Sequence, residues 1–113
     1  TMIDTPQNDE VVLQRFVVAG WALDLAAIEE TGIDTVHVWA YPTSGGEPTF
    51  LGVAAYGDPR PDVGATYGAA FVRSAYTLAV DQLDPGSYDV VVYPHRARTG
   101  TFEGAQVVRV TVR

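Results

Sequence analysis

Short runs of alternating apolar residues, each closed by glycine or proline, constrain the fold of this chain more than any other feature. Val108, Val110 and Val112 alternate with polar residues near the end of the sequence, and Ser74–Val80 alternates before them. A period of two places successive side chains on opposite faces of a strand. No segment sustains the 3.6-residue period of a long helix. The chain is therefore expected to form an all-β, antiparallel β-sandwich of about seven strands with Greek-key connections.

The turn signals divide the chain into expected elements. Strands are expected at Met2–Thr5 (a short edge strand), Val11–Leu23 (one long strand, or two joined by a bend at Gly20), Thr35–Tyr41, Thr49–Tyr56, Ser74–Val80, Tyr88–Tyr93 and Ala105–Val112. The runs Thr35–Tyr41 and Thr49–Tyr56 are expected to pair as a hairpin, because few turn residues separate them. Ala26–Thr31 and Pro61–Tyr67 are each expected to form a helical turn. Pro94–Gly104 is expected to be a long loop.

Length and composition indicate one globular domain. The chain has 113 residues, of which 47% are hydrophobic and 19% charged, an ordinary balance for a folded domain. We expect residues 1–113 to form a single domain, with residues 1–9 as an edge strand or linker. Cysteine is absent, which excludes disulfides and thiolate metal sites.

The charge of the chain excludes several classes of partner. Seven arginines and no lysine stand against fourteen acidic residues, for a net charge of −7. Nucleic acid and anionic membrane surfaces are disfavoured, because both attract basic surfaces. Arg96 and Arg98 are the only close basic pair. The longest apolar runs, such as Val17–Leu23, are far shorter than the ~20 residues of a membrane span, so no membrane insertion is expected.

No catalytic motif is present, and we expect a protein that is not an enzyme and has no cofactor. His37 and His95 are the only histidines, and no serine lies in a Gly-x-Ser-x-Gly turn. No glycine-rich phosphate loop precedes a helix. Asp58 and Asp62 are the nearest approach to a calcium site, but Ca²⁺ takes six to eight oxygen ligands. No metal site is therefore predicted.

Two local patterns predict structural contacts. Tyr88 follows the turn Asp84-Pro85-Gly86, and a tyrosine at this place in Ig-like sandwiches bonds the upstream backbone through its hydroxyl. Leu83 would then fill the core below it. Prolines on both sides of Arg60 stiffen its backbone. Arg60 is expected to form a bidentate ion pair with Asp24 or Asp62, the alternative being a clasp for an acidic ligand.

One face of the predicted sheet is unusually aromatic. If Val36, Val38 and Ala40 point inward, the residues between them point outward. On the penultimate strand, Tyr88, Val90 and Val92 would likewise point inward. The outward residues of the two strands are then His37, Trp39, Tyr41, Asp89, Val91 and Tyr93. Three interpretations stay open: Trp39 belongs to the core with the frame reversed, a neighbouring domain covers the patch, or the patch binds a protein or glycan.

The order of several short motifs resembles a family of Ig-like domains found in secreted and surface-anchored bacterial proteins, including modules beside cell-wall hydrolases. These domains carry a Gly-Trp-Ala-x-Asp strand, a Val-x-Val strand, an Arg-Pro-Asp-Val element and a Leu-x-x-Gly-x-Tyr corner. The matching positions are Gly20, Trp21, Ala22 and Asp24; Val36 and Val38; Gly57, Arg60, Pro61, Asp62 and Val63; and Leu83, Gly86 and Tyr88. The resemblance covers residues 16 to 112 and implies an Ig-like or fibronectin-like fold.

The resemblance also implies a function and a location. It implies a non-catalytic accessory module of an exported bacterial protein, at the cell surface or outside the cell, that spaces or docks neighbouring domains or another protein. The alternatives are a carbohydrate-binding module and an adhesion or filament subunit. The residues predicted to contact a partner are His37, Trp39, Tyr41, Asp89, Tyr93, Arg96 and Arg98. Those predicted to be structural are Trp21, Asp24, Arg60, Asp62 and Tyr88.

Overall fold

A computed structural model describes all 113 residues. The strands are β1 (Met2–Thr5), β2 (Glu10–Val12), β3 (Phe16–Trp21), β4 (Ile33–Pro42), β5 (Thr49–Val53), β6 (Ala55–Asp58), β7 (Ala75–Val80), β8 (Gly86–Arg96), β9 (Thr101–Phe102) and β10 (Gln106–Val112). The helix α1 (Pro61–Tyr67) and a 3₁₀ turn (Ala69–Phe71) lie between β6 and β7. Neither helical segment has the length and apolar composition that a membrane crossing requires.

The strands form two sheets with the topology of an Ig-like sandwich. One sheet has the order β1-β3-β7-β6, and the other has the order β2-β10-β8-β4-β5, with β9 paired to β8. The seven frame strands β1, β3, β4, β6, β7, β8 and β10 can be lettered A to G in chain order. With these letters the two sheets have the ABED and CFG arrangement of the Ig fold. The expected β-sandwich is confirmed. The strand count was too low, since the short strands β2, β5 and β9 add to the seven-strand frame, and β2 pairs with β10 in parallel.

The hydrophobic core lies between the sheets and confirms the predicted frame of the central strands. Val36, Val38 and Ala40 of β4 are fully buried. Val90 and Val92 of β8 lie opposite them in the same cluster of 17 buried residues. Because period two reverses successive side chains, the residues between them point away from the core.

The tyrosine corner is present as predicted. The Tyr88 hydroxyl donates a hydrogen bond of 2.8 Å to the backbone carbonyl of Asp84. Leu83, just before this turn, is buried in the core cluster. The turn and the start of β8 are therefore tied to the core at two points.

Two of the predicted strands are each broken into two strands in the structure. The run Val11–Leu23 breaks at residues 13–15 rather than at Gly20, and its two parts join different sheets. The run Thr49–Tyr56 also breaks at residue 54: β5 pairs with β4 as predicted, whereas β6 crosses to β7. The first break falls on the exposed polar residues Gln14 and Arg15, a signal that the prediction did not use. At residue 54 the apolar pattern continues across the break, because Ala54 is buried in the shared core. Periodicity alone therefore cannot separate the two strands.

Of the three connecting segments predicted, one is confirmed and two are wrong. The helix Pro61–Tyr67 is confirmed, with proline at its start and Gly68 after its end. Ala26–Thr31 forms turns instead of a helical turn, because the Asp24 backbone N–H donates to the Thr31 carbonyl at 2.7 Å and closes the loop. The predicted loop Pro94–Gly104 is wrong, since β8 extends to Arg96 and β9 pairs back onto it.

Candidate interaction surface

A contiguous set of ring side chains covers the outside of the β4–β8 sheet. We call this surface the aromatic face. Its members are His37, Trp39 and Tyr41 of β4, Phe50 of β5, Tyr93 and His95 of β8, and Phe102 of β9. None of them belongs to the buried core cluster. The structure thus separates the rings from the core that stabilises the fold.

The strand register brings these rings together. Trp39 lies opposite Phe50 on one side and opposite Val91 on the other. The ring centroids of Trp39 and Phe50 are 5.0 Å apart, and those of Trp39 and Tyr41 are 6.5 Å apart. Val91 is buried although it lies on the outer side of the sheet. The centre of the face is therefore well packed.

His37 continues the surface toward β9. Its ring centroid lies 4.8 Å from that of Phe102 and 5.5 Å from that of Phe50. The tilted and edge-on ring geometries are those that aromatic quadrupoles favour. A shallow pocket of about 300 Å³ opens between His37, Trp39, Tyr41, Tyr93 and Phe102.

The two tyrosines of the face share a hydrogen bond. The Tyr41 and Tyr93 hydroxyl oxygens are 2.9 Å apart. The hydrogen bond to Tyr41, together with burial, raises the pKa of Tyr93 to about 12. Both side chains are half-buried, so each presents a fixed ring and one shared polar tip to a partner.

Two contacts between polar side chains border the aromatic face. Asp89 accepts two hydrogen bonds from Arg109, at 2.9 and 3.1 Å. The hydrogen bonds and positive charge of Arg109 hold the pKa of Asp89 below its usual value. His95 Nδ1 lies 2.6 Å from Asp34 Oδ1. Asp89 therefore belongs to the rim, but its carboxylate is already occupied by Arg109.

Two members of the face were not predicted. Phe50 lies on β5 beside Trp39, and Phe102 lies on the two-residue strand β9. Each is close to half exposed, at 44% and 45%. Phe50 falls within a predicted strand whose face was not assigned. Phe102 falls within a segment predicted as a loop, and a strand of two residues has no alternation to detect.

Arg96 and Arg98 do not lie on the aromatic face. They line a different pocket with Trp21, Asp24 and Tyr67. The Arg98 Nε donates to Asp24 Oδ2 at 3.1 Å, while the Asp24 side chain is only 3% exposed. Arg98 thus has a structural role and compensates a buried charge, and its grouping with Trp39 was wrong.

Of the two predicted partners of Arg60, the structure shows Asp62. Arg60 donates to both carboxylate oxygens of Asp62, at 2.9 and 2.8 Å, and a further nitrogen donates to Asp4. Asp24 is paired with Arg98 instead. Arg60 therefore ties the start of α1 to the edge strand β1. No group of three or more histidine or carboxylate side chains is placed to hold a metal ion.

Comparison with known proteins supports the Ig-like fold but identifies no family. No protein-family model and no curated protein matches the chain. Thirteen chains of solved structures match it. One is the NK cell receptor Nkp44, described as a triggering partner in natural cytotoxicity, which is 13% identical, with 97% of this chain and 100% of that chain covered and a TM-score of 0.50. The chain has an Ig-like fold. At this identity the likeness concerns the fold alone.

Proposed function

We propose that this Ig-like domain is a non-catalytic accessory module of an exported bacterial protein, which docks a neighbouring domain or another protein through its aromatic face. The observation that carries the proposal is the contiguous set of rings outside the core, centred on Trp39. The ordered motifs around Trp21, Arg60 and Tyr88 support the exported bacterial context. The first line of support is the geometry of this chain, and the second is the resemblance of its motifs to domains of exported bacterial proteins.

The composition of the aromatic face favours a protein partner. Protein interfaces enrich aromatic residues in their centre and place polar groups at the rim. Here Trp39 and Phe50 lie at the centre, whereas the pairs Asp89–Arg109 and Asp34–His95 lie at its limits. Because Asp89 is already paired with Arg109, a partner can cover the rings without burying this carboxylate as an isolated charge.

A glycan is the second candidate, and the shallow pocket beside Trp39 favours it. Ring faces pack on the C–H groups of sugars, and a pocket of about 300 Å³ lies among five ring side chains. Sugar hydroxyls also require acceptors, however. The one carboxylate predicted for this face, Asp89, does not line the pocket, and both of its oxygens are engaged by Arg109. The protein partner therefore has the stronger support.

The test compares two variants against two kinds of ligand. Trp39→Ala removes the central ring, and Tyr67→Ala removes an exposed ring on α1, outside the aromatic face, as the matched control. Both are first shown to be folded by circular dichroism. Each is titrated calorimetrically against the neighbouring domains of the parent protein, and each is sedimented with insoluble peptidoglycan, cellulose and chitin.

If the docking proposal is correct, the wild type and Tyr67→Ala bind a neighbouring domain. Trp39→Ala then binds it roughly thirtyfold more weakly, which corresponds to the ~2 kcal/mol of an interface hot spot. Retention on a polysaccharide, lost in Trp39→Ala, would replace the docking proposal with the glycan function. Binding that Trp39→Ala leaves unchanged would show that another surface makes the contact.

A further inference from the structure

A second pocket, separate from the aromatic face, combines two arginines with a pair of aromatic rings. It lies where the end of β3, the loop after it, the end of α1 and the end of β8 converge, and its volume is about 360 Å³. We call it the arginine pocket. Its polar and aromatic lining residues are Thr1, Trp21, Asp24, Tyr67, Arg96 and Arg98.

The aromatic wall of the arginine pocket is already formed. Trp21 points away from the core, because its neighbours Gly20 and Ala22 are buried. Its ring centroid lies 5.6 Å from that of Tyr67, with the planes tilted by 48°. Leu23 and Leu25 continue this apolar lining. An apolar ligand body would therefore meet a rigid surface.

Arg98 is held in the pocket by a buried anion. Its Nε donates to Asp24, which also accepts the backbone N–H of Ala26 at 3.0 Å. Burial alone would raise the pKa of Asp24, yet the hydrogen bonds from Arg98 and Ala26 hold it below its usual value. Asp24 thus stays charged and orients Arg98. The two terminal nitrogens of Arg98 make no hydrogen bond within the protein, and the side chain is 47% exposed.

The guanidinium of Arg96 makes no hydrogen bond within the protein. Its Nη1 lies 3.8 Å from Glu103 Oε1, beyond hydrogen-bond distance, and its side chain is 28% exposed. Glu103 is held by the hydroxyls of Thr99 and Thr101 at 3.1 and 2.6 Å. A guanidinium offers five N–H donors in a planar fork that matches a carboxylate. Arg96 therefore offers these donors to a ligand, inside a pocket, in a chain of net charge −7.

From this arrangement we propose that the arginine pocket binds a small organic carboxylate with an aromatic or apolar body. The carboxylate pairs with Arg96 and the terminal nitrogens of Arg98, and the body packs on Trp21 and Tyr67. The pocket volume lies within the range of small-molecule sites. This site is independent of the aromatic face, so a failure of either proposal leaves the other unchanged.

The test uses phenylacetate and phenylacetamide, which have the same shape and differ in charge. Each is titrated into ¹⁵N-labelled protein at pH 7, and the Trp21 indole and the Arg96 and Arg98 Nε signals are followed by NMR. We expect saturable shifts at these signals with phenylacetate, with a Kd on the order of 1 mM. The amide is expected to bind roughly tenfold more weakly, because it forfeits the charge-assisted hydrogen bonds.

Two variants assign the contacts, and one serves as control. Arg96→Gln is expected to weaken phenylacetate binding roughly tenfold, and Tyr67→Ala to weaken it by removing half of the ring wall. Arg15→Gln removes an exposed arginine that pairs with Asp81 elsewhere and is expected to leave binding unchanged. Absence of saturable shifts in the wild type, equal binding of acid and amide, or unchanged affinity in Arg96→Gln would each overturn the proposal.

Discussion

The hydroxyl of Tyr88 and the backbone carbonyl of Asp84 lie 2.8 Å apart and form a hydrogen bond across the turn that begins β8. Tyr88→Phe removes the donor and leaves the carbonyl without this partner. We expect the free energy of unfolding to fall by about 1 kcal/mol, the usual net value of one such bond. Urea unfolding followed by circular dichroism measures the change.

The control for this prediction is Tyr67→Phe, at a tyrosine whose hydroxyl makes no hydrogen bond within the protein and which is 41% exposed. It loses the same oxygen from an open site, so its stability is expected to match the wild type. Equal stabilities of Tyr88→Phe and Tyr67→Phe would show that the corner contributes nothing.

A glycine is required at position 20, where β3 pairs with β1. A Cβ atom at this position would lie 2.0 Å from the Met2 carbonyl oxygen and 2.7 Å from the Tyr76 hydroxyl. We expect Gly20→Ala to push β1 off the sheet and to cost about 1–3 kcal/mol, as overpacking does. Hydrogen exchange by mass spectrometry should show that the variant exchanges faster than the wild type in β1, with a smaller change in β7.

Gly46→Ala is the matched control for Gly20→Ala, because a Cβ there would meet only Pro42, at an ordinary distance of 3.6 Å. It is expected to leave exchange in β1 unchanged. Slow exchange throughout β1 in Gly20→Ala would contradict the steric argument.

These cases show which features local sequence could predict. Tyr88 bonds the backbone four residues upstream, so turn chemistry was sufficient to predict this contact. Arg60 bonds Asp62 two residues away, but the sequence left Asp24 open as well and did not indicate the contact with Asp4. Val36 and Val38 were assigned to the core from period two. The sequence could not exclude the opposite orientation of this strand, with Trp39 in the core, because both faces of the strand carry apolar residues. Only packing against the second sheet decides which face is buried.

The remaining features depend on pairing between distant residues. Arg98 and Asp24 are 74 residues apart in sequence, and the topology that joins them is not encoded in either local pattern. Phe102 reaches the aromatic face only because β9 folds back onto β8. The core and about half of the aromatic face are therefore predictable from local sequence, whereas the arginine pocket is not.

The pair Asp24–Arg98 should matter more for stability than an exposed pair. Arg98→Gln leaves a carboxylate that is 3% exposed without its cation. We expect a loss of about 2–3 kcal/mol, since an unpaired buried charge is costly. Arg109→Gln, which breaks an exposed pair with Asp89, is the control and should cost much less. Similar urea midpoints for the two variants would contradict this difference.

The same pair predicts how stability responds to acid. The hydrogen bonds of Asp24 hold its folded-state pKa below 3.8, its ordinary value. A carboxyl with a depressed pKa stabilises the fold above its unfolded-state pKa, and this stabilisation is lost as the pH falls through the folded-state pKa. In Asp24→Asn, the loss of unfolding free energy below pH ~4 should be smaller than in the wild type. Parallel curves for the two proteins, from urea unfolding between pH 7 and 2, would contradict this assignment.

The hydrogen bond between Tyr41 and Tyr93 should be visible in their titration. It contributes, with burial, to a Tyr93 pKa of about 12. Tyr41→Phe removes the bond and the electrostatic contribution of Tyr41, so the pKa of Tyr93 should fall toward 10 while burial keeps it above that value. NMR titration of the tyrosine ring carbons measures the shift, with Tyr67→Phe as a control that leaves Tyr93 unchanged. If Tyr93 still titrates near 12 in Tyr41→Phe, burial alone sets its pKa. The two hydroxyls would then not be joined in solution, and the aromatic face would be less ordered before a partner binds.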